Sequence, residues 1–254
     1  MRTLIAFCIA ATMTIEAHAA CNAVSPAHTL ALTELYTSDG CDSCPPANRW
    51  MSALPARGFG ADKVVPLSLH VDYWDYIGWK DIYAQPQFTD RQRMLSRLSG
   101  STFVYTPQVV VQGRDFRGWG SSTFDAHVKA VNARPARADI RLGLEVASGK
   151  VNITASALAK VSGAKAQLFV ALTQSRISSD VKVGENRGVT LKHDYVVREW
   201  LGPVAFDAAG GARLERAVVP PTGAPTNDLG VVALVQDAAT GEILQALKLD
   251  TCGA

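Results

Sequence analysis

Two cysteines three residues apart, Cys41 and Cys44, carry the most specific chemistry in this sequence. A thiolate attacks a disulfide, and a Cys-x-x-Cys pair lets one sulfur attack while the other resolves the mixed disulfide. Pro45 and Pro46 follow directly, and proline suits the first turn of a helix, where no amide hydrogen is needed. A helix beginning around Cys44 leaves Cys41 at its N-terminus, where unpaired amides and the helix dipole stabilise the anion. Cys41 is therefore the expected nucleophile and Cys44, one turn inside, the shielded resolver. Asp42 sets negative charge beside that thiolate and argues against a strongly oxidising pair. A metal site would want about four ligands at close range, and a second CxxC or a CxxH is absent.

The first twenty residues read as an export signal: Arg2, an apolar stretch from Leu4 to Ile15, and the small-x-small pattern Ala17-His18-Ala19. Cleavage is expected after Ala19 or Ala20, which removes Cys8 and leaves Cys21, Cys41, Cys44 and Cys252. A lipid anchor on Cys21 would want an aliphatic residue three positions earlier, where His18 stands. No other segment approaches the roughly 20 apolar residues of a membrane helix, so a periplasmic or secreted product is expected. In an oxidising compartment the simplest pairing joins Cys21 to Cys252, closing a loop worth on the order of 5 kcal/mol by chain entropy. The 25 basic and 23 acidic residues form no long run of one sign, so neither nucleic acid nor an anionic membrane is an expected partner.

Around the dithiol, Leu30 to Thr37 has strand character and stops at the turn Ser38-Asp39-Gly40. Val64 to Val71 reads as a buried apolar strand. Pro86 to Leu98 is a helix candidate ended by Gly100. Thr106-Pro107 precedes a β-branched strand, and the turn Gln112-Gly113-Arg114 makes a hairpin with Asp115 to Trp119. Ser121-Ser122 caps a helix from Thr123 to Ala133. Past Arg134-Pro135-Ala136-Arg137 the helical period fades, and short segments (Ile140–Val146, Val151–Ala157, Gln167–Thr173, Arg213–Val219, Val231–Val235) alternate between turn residues.

Strand, CxxC at a helix start, second strand and Thr-Pro before a hairpin together resemble the thioredoxin superfamily. More closely, Glu34 to Pro46, His70-Val71-Asp72-Tyr73-Trp74-Asp75, Gly78-Trp79-Lys80-Asp81, Val104 to Gln108, Gly184-Glu185-Asn186 and His193 to Arg198 resemble a family of secreted bacterial proteins catalogued as a domain of unknown function. The resemblance implies an α/β thioredoxin-like domain over residues 21–135, followed by an all-β sandwich-like domain over 136–254. It also implies that Pro107 is cis and lies against the dithiol, with the backbone of Thr106 offering strand-like hydrogen bonds to an extended substrate. Glu34 falls one residue out of register with the buried acid that moves protons for the resolving cysteine in thioredoxins, and is the candidate for that role.

The function implied is thiol-disulfide exchange with envelope proteins, its partners being protein thiols or disulfides. The alternative is a binding protein whose dithiol is a metal (copper) ligand or a fixed disulfide. Some thioredoxin relatives deliver copper with two cysteines and a distant histidine, and His70 ends the neighbouring strand. Tyr73, Trp74 and Trp79 follow that strand, at the end where such sheets place ligands, and are the candidate substrate surface. His70 itself reads as a capped strand end and Asp39 as a turn residue, while His193, Tyr195 and Arg198 either touch this aromatic rim from the second domain or belong to a half-buried strand. The sequence carries no cofactor signature: a Gly-rich phosphate loop, GxSxG and HExxH are all absent, and no metal is assigned.

Overall fold

The computed structural model describes residues 20–161 and 164–252. The expected signal segment, residues 1–19 and their Cys8, lies outside the described residues. In chain order the elements are β1 (Ala20–Val24), β2 (Ala31–Thr37), α1 (Pro45–Ser52), β3 (Val64–His70), α2 (Pro86–Leu98), β4 (Gln108–Val111), β5 (Arg114–Asp115) and α3 (Ser122–Asn132). Then come β6 (Ala138–Ala147), β7 (Lys150–Ala159), β8 (Ala166–Gln174), β9 (Ile177–Asp180), β10 (Thr190–His193), β11 (Val196–Ala205), β12 (Gly211–Val218), β13 (Leu229–Asp237) and β14 (Ile243–Asp250).

Local chemistry explains most of these boundaries. Pro86 occupies the first turn of α2, where its missing amide costs nothing. Ser121 accepts a hydrogen bond from the amide of Thr123 and caps α3. Gln112 and Gly113 both take positive φ, 53° and 78°, the backbone a two-residue hairpin turn requires, and Val111 pairs with Arg114 across it.

The expected order of an α/β thioredoxin-like domain followed by an all-β sandwich-like domain is corrected by the sheets. The chain is mostly β and builds several of them: an eight-stranded sheet β14-β13-β8-β11-β3-β2-β4-β5, a four-stranded sheet β1-β6-β7-β12, and the pair β9–β10. Strands from before and after residue 135 share the large sheet. The junction is β11 beside β3, parallel, with Val196 opposite Ser68; the Ser68 amide donates to the Tyr195 carbonyl (2.8 Å) and its hydroxyl to the Asp194 carbonyl (2.9 Å). In the other direction, β1 leaves the first half to pair with β6.

The physical reason is burial on both faces. All nine residues of β13 are buried, and β8 is buried except at Gln167. One face of these strands (Leu168, Val170, Leu172, Val231, Ala233, Val235) packs against Ile140, Leu142, Ile153 and Ala155 of the four-stranded sheet. The other face (Phe169, Ala171, Val232, Leu234) packs with Leu32, Leu67, Phe88 and Leu95 of the first half. A strand apolar on both sides is satisfied only between two layers. Arg91 of α2 fastens the join, donating to Glu34 on β2 (2.7 Å) and Gln236 on β13 (2.9 Å). Cys21 and Cys252 are disulfide-bonded across 231 residues, holding β1 to the segment after β14.

Candidate functional site

The parallel pairing of β2 with β3 runs from Ala31 opposite Val64 to Thr37 opposite His70, so the loop after β2 and the end of β3 emerge side by side. That loop is short and internally bonded. The amide of Gly40 donates to the Ser38 hydroxyl (3.1 Å) and the amide of Cys41 to the Ser38 carbonyl (3.2 Å). A side chain at Gly40 would press on Ile77 (3.2 Å) and Trp74 (3.4 Å), so the loop sits tightly against the 74–79 segment. Cys44 is the N-cap residue of α1, with Pro45 first in the helix. Cys41 and Cys44 are joined as a disulfide, Cα to Cα 5.4 Å, and neither cysteine is exposed (0%).

What covers them comes from far along the chain. In the loop between β9 and β10, the Asn186 side-chain amide donates to the carbonyls of Asp39 (2.8 Å) and Cys41 (2.9 Å). Glu185 accepts from the amide of Asp42 (3.2 Å), and Gly184, at φ 82°, lies against Ile77 and Trp79. The loop is thereby clamped over the dithiol.

Of the residues singled out from sequence, Thr106 and Pro107 lie just before β4, whose Gln108 pairs with Tyr36 near the end of β2. The Thr106–Pro107 bond is cis. Trp74 donates its indole N–H to the Thr106 hydroxyl (2.6 Å), Trp79 packs against the covering loop, and burial pushes the Tyr73 hydroxyl pKa up. All three aromatics are half-buried. Glu34 faces the other way. It belongs to the β2 face that carries Leu32 and Tyr36, whereas α1 packs on Ala31 and Leu35, and its partners are Arg91 (2.7 Å) and the Tyr36 hydroxyl (3.3 Å). Its hydrogen bonds among the described residues do not reach either cysteine.

Beneath the dithiol loop lies a cluster whose members sequence reasoning named singly but did not bring together. Asp39, His70, Asp81 and His193 are all buried. His70 Nδ1 is 2.6 Å from Asp81 Oδ2, and Asp81 also accepts from the amides of Asp39 (2.8 Å) and Tyr83 (2.9 Å). Burial opposes a charged His70, but the adjacent Asp81 outweighs it and raises the imidazole pKa. Burial likewise works against an ionised Asp81, and His70 more than offsets it, lowering that pKa. His193 Nε2 stands 3.0 Å from Asp39 Oδ1, out of line for a hydrogen bond, so both atoms lack a partner. The signal that could have found this cluster was the pairing of His70 with the distant His193-Asp194-Tyr195 run, since β11 docks on β3 directly after it.

Surface cavities of about 420 and 440 Å³ are lined by Arg93, Phe103, Tyr105, Arg117 and Trp119 among others, and the dithiol lines neither. Among the described residues, no helix is long and apolar enough to cross a membrane.

Fold and site together define a mostly-β protein with two disulfides, one of them a CxxC at a helix start. The chain belongs to the family described as "Protein of unknown function (DUF1223)", whose model matches residues 32–236. No curated protein matches it. Among solved structures it is similar to protein AGR_C_4864 from Agrobacterium tumefaciens, at 26% identity and a TM-score of 0.63, covering 91% of this chain and 98% of that one. It also shares its fold with HBP35 of Porphyromonas gingivalis at a TM-score of 0.66, with 15% identity and coverage of 89% and 76%.

Proposed function

We propose that this chain is an exported thiol-disulfide oxidoreductase acting on other proteins of the cell envelope through Cys41 and Cys44. The observation that carries the reading is the placement of the pair at the start of α1, with Cys44 as cap and Pro45 as first helical residue. There the positive end of the helix dipole favours a thiolate. The two disulfides accord with an oxidising compartment, periplasmic or outside the cell.

In the oxidised form, a partner thiolate attacks Cys41 Sγ, the Cys41–Cys44 bond breaks, and Cys44 leaves as a thiolate. A second partner thiolate then attacks the partner sulfur of the mixed disulfide, releasing Cys41 as a thiolate. The partner is oxidised by two electrons and the CxxC pair reduced. The reverse steps reduce a partner disulfide. Thr106 and Pro107, beside the end of β2, are the platform for the partner's extended backbone, and Trp74 holds the Thr106 hydroxyl through its indole N–H. The Asn186 clamp must open first.

Zero exposure of both sulfurs favours a second reading, in which the pair is a fixed disulfide of a partner-binding protein. Trapping separates the two. A Cys44→Ser variant produced in the native compartment should accumulate mixed disulfides through Cys41. If none forms and the wild type does not reduce insulin, the second reading stands.

A further inference from the structure

We infer that Asp39, His70 and His193 form a closed binding site for one divalent transition-metal ion of the zinc class, seated beneath the dithiol loop. Three observations converge on it. The first is orphaned polarity: Asp39 Oδ1 and Oδ2, His70 Nε2 and His193 Nε2 are all buried without a hydrogen-bond partner. Interior polar atoms are as a rule paired, because an unpaired one keeps the whole cost of leaving water. Four orphans on three residues in contact describe a missing shared partner.

The second is spacing. One donor atom from each of the three residues lies within 4.8 Å of the others, and His193 Nε2 and Asp39 Oδ1 are 3.0 Å apart without a hydrogen bond between them. Metal bonds of about 2.0–2.2 Å bring the atoms of neighbouring ligands to roughly 3 Å, so proximity without alignment is what two ligands of one ion show.

The third is the support behind the ligands. His70 Nδ1 is held by Asp81 at 2.6 Å, and Asp81 is itself fixed by the amides of Asp39 and Tyr83. A carboxylate behind a histidine sets the tautomer and leaves Nε2 as the free lone pair, the arrangement that accompanies metal-bound imidazole. One nitrogen from each imidazole and one oxygen of Asp39 make three converging donors, and the second Asp39 oxygen, buried without a partner, is available for the fourth position of a zinc ion. The charges that face the cluster are Asp39 and Asp81 against Arg198, whose guanidinium lies over the Tyr83 ring at 4.8 Å, a net negative surround that favours a cation. The cysteines are bonded to each other and take no part. Bound there, the ion would tie the turn before Cys41, the end of β3 and the end of β10 into one unit.

The test uses the full mature chain, stripped with chelator and re-exposed to Zn²⁺, with metal content read by mass spectrometry after dialysis. One zinc per chain is expected in the wild type and equally in C41S/C44S, and at least a tenfold weaker site in H193A. A folded wild type that retains no zinc, undiminished binding in H193A, or loss of binding in C41S/C44S would each overturn the site. Should H193A not fold, Co²⁺ in the wild type decides: nitrogen and oxygen ligation gives d–d bands alone, whereas a thiolate charge-transfer band moves the metal to the cysteines. Mixed-disulfide trapping reads the dithiol chemistry separately, so either conclusion can fail without the other.

Discussion

Glu34, on β2, and Asp39, two residues past its end, are both carboxylates with no exposure, and the molecule treats them differently. Glu34 has a full counter-charge: Arg91 donates to its Oε1, bonds Gln236 with another nitrogen, and lies over the Trp200 ring at 4.8 Å, leaving Oε2 unpartnered. Asp39 has two histidines nearby and no hydrogen bond to either side-chain oxygen. The first is a structural joint between two halves of the chain. The second is a site, because its polar atoms converge and are unspent. Burial of charge therefore distinguishes nothing by itself; what matters is whether the packing that buries a group also supplies its partners.

The largest effect that tests this contrast should come from Arg91. Arg91→Met strands Glu34 in the interior and is expected to cost about 3–5 kcal/mol in urea unfolding, while adding Glu34→Leu should return most of that loss. A double variant no more stable than the single one would show that Glu34 is not the stranded group. Next is zinc: at a hundred times its dissociation constant it should raise wild-type stability by about 2.7 kcal/mol, seen as a higher midpoint that H193A does not share.

Asn186→Ala removes two hydrogen bonds from the clamp, worth roughly 1 kcal/mol each. Reduction of Cys41–Cys44 by a soluble dithiol should then be on the order of tenfold faster, read by alkylation and mass shift, with the Cys21–Cys252 bond unaffected. An unchanged rate would mean that the loop does not gate the dithiol. Smallest of all, His193→Met in metal-free protein, which keeps the buried volume packed against His70 and Tyr83, should change stability by less than about 1 kcal/mol, since an imidazole nitrogen without a hydrogen-bond partner contributes little when removed. A loss as large as that of Arg91→Met would erase the distinction between the two carboxylates.

Much of the local structure was legible. Pro86 at a helix start, Ser121 as a cap and Gln112-Gly113 as a turn act through their own backbone and nearest neighbours, and α2, α3 and the β4–β5 turn lie where those residues put them, although the second hairpin strand is Arg114–Asp115 and not the expected Asp115 to Trp119. The division into an α/β unit and a separate sandwich was misread for an equally physical reason. Period-two patterning says which residues of a strand are buried, but not which edge it joins, and β11 chose the edge of β3. The same docking explains the site. Asp39 has the local signature of a turn residue and His70 that of a strand end; only the β9–β10 loop, some 150 residues on, buries one under Asn186 and brings His193 beside the other.

The sequence by itself determined the dithiol, its seat at the start of a helix, the four cysteines and the β-rich character of the second half, because each depends on residue type and short-range geometry. Tertiary structure alone decided that the CxxC is covered, that Glu34 answers to Arg91, and that a turn aspartate and two histidines share one buried cluster. Hydrogen-bond partners and burial are properties of residues far apart in the chain, and the docking of β11 on β3, of α2 on β2 and of the β9–β10 loop on the dithiol turn brings them within bonding distance.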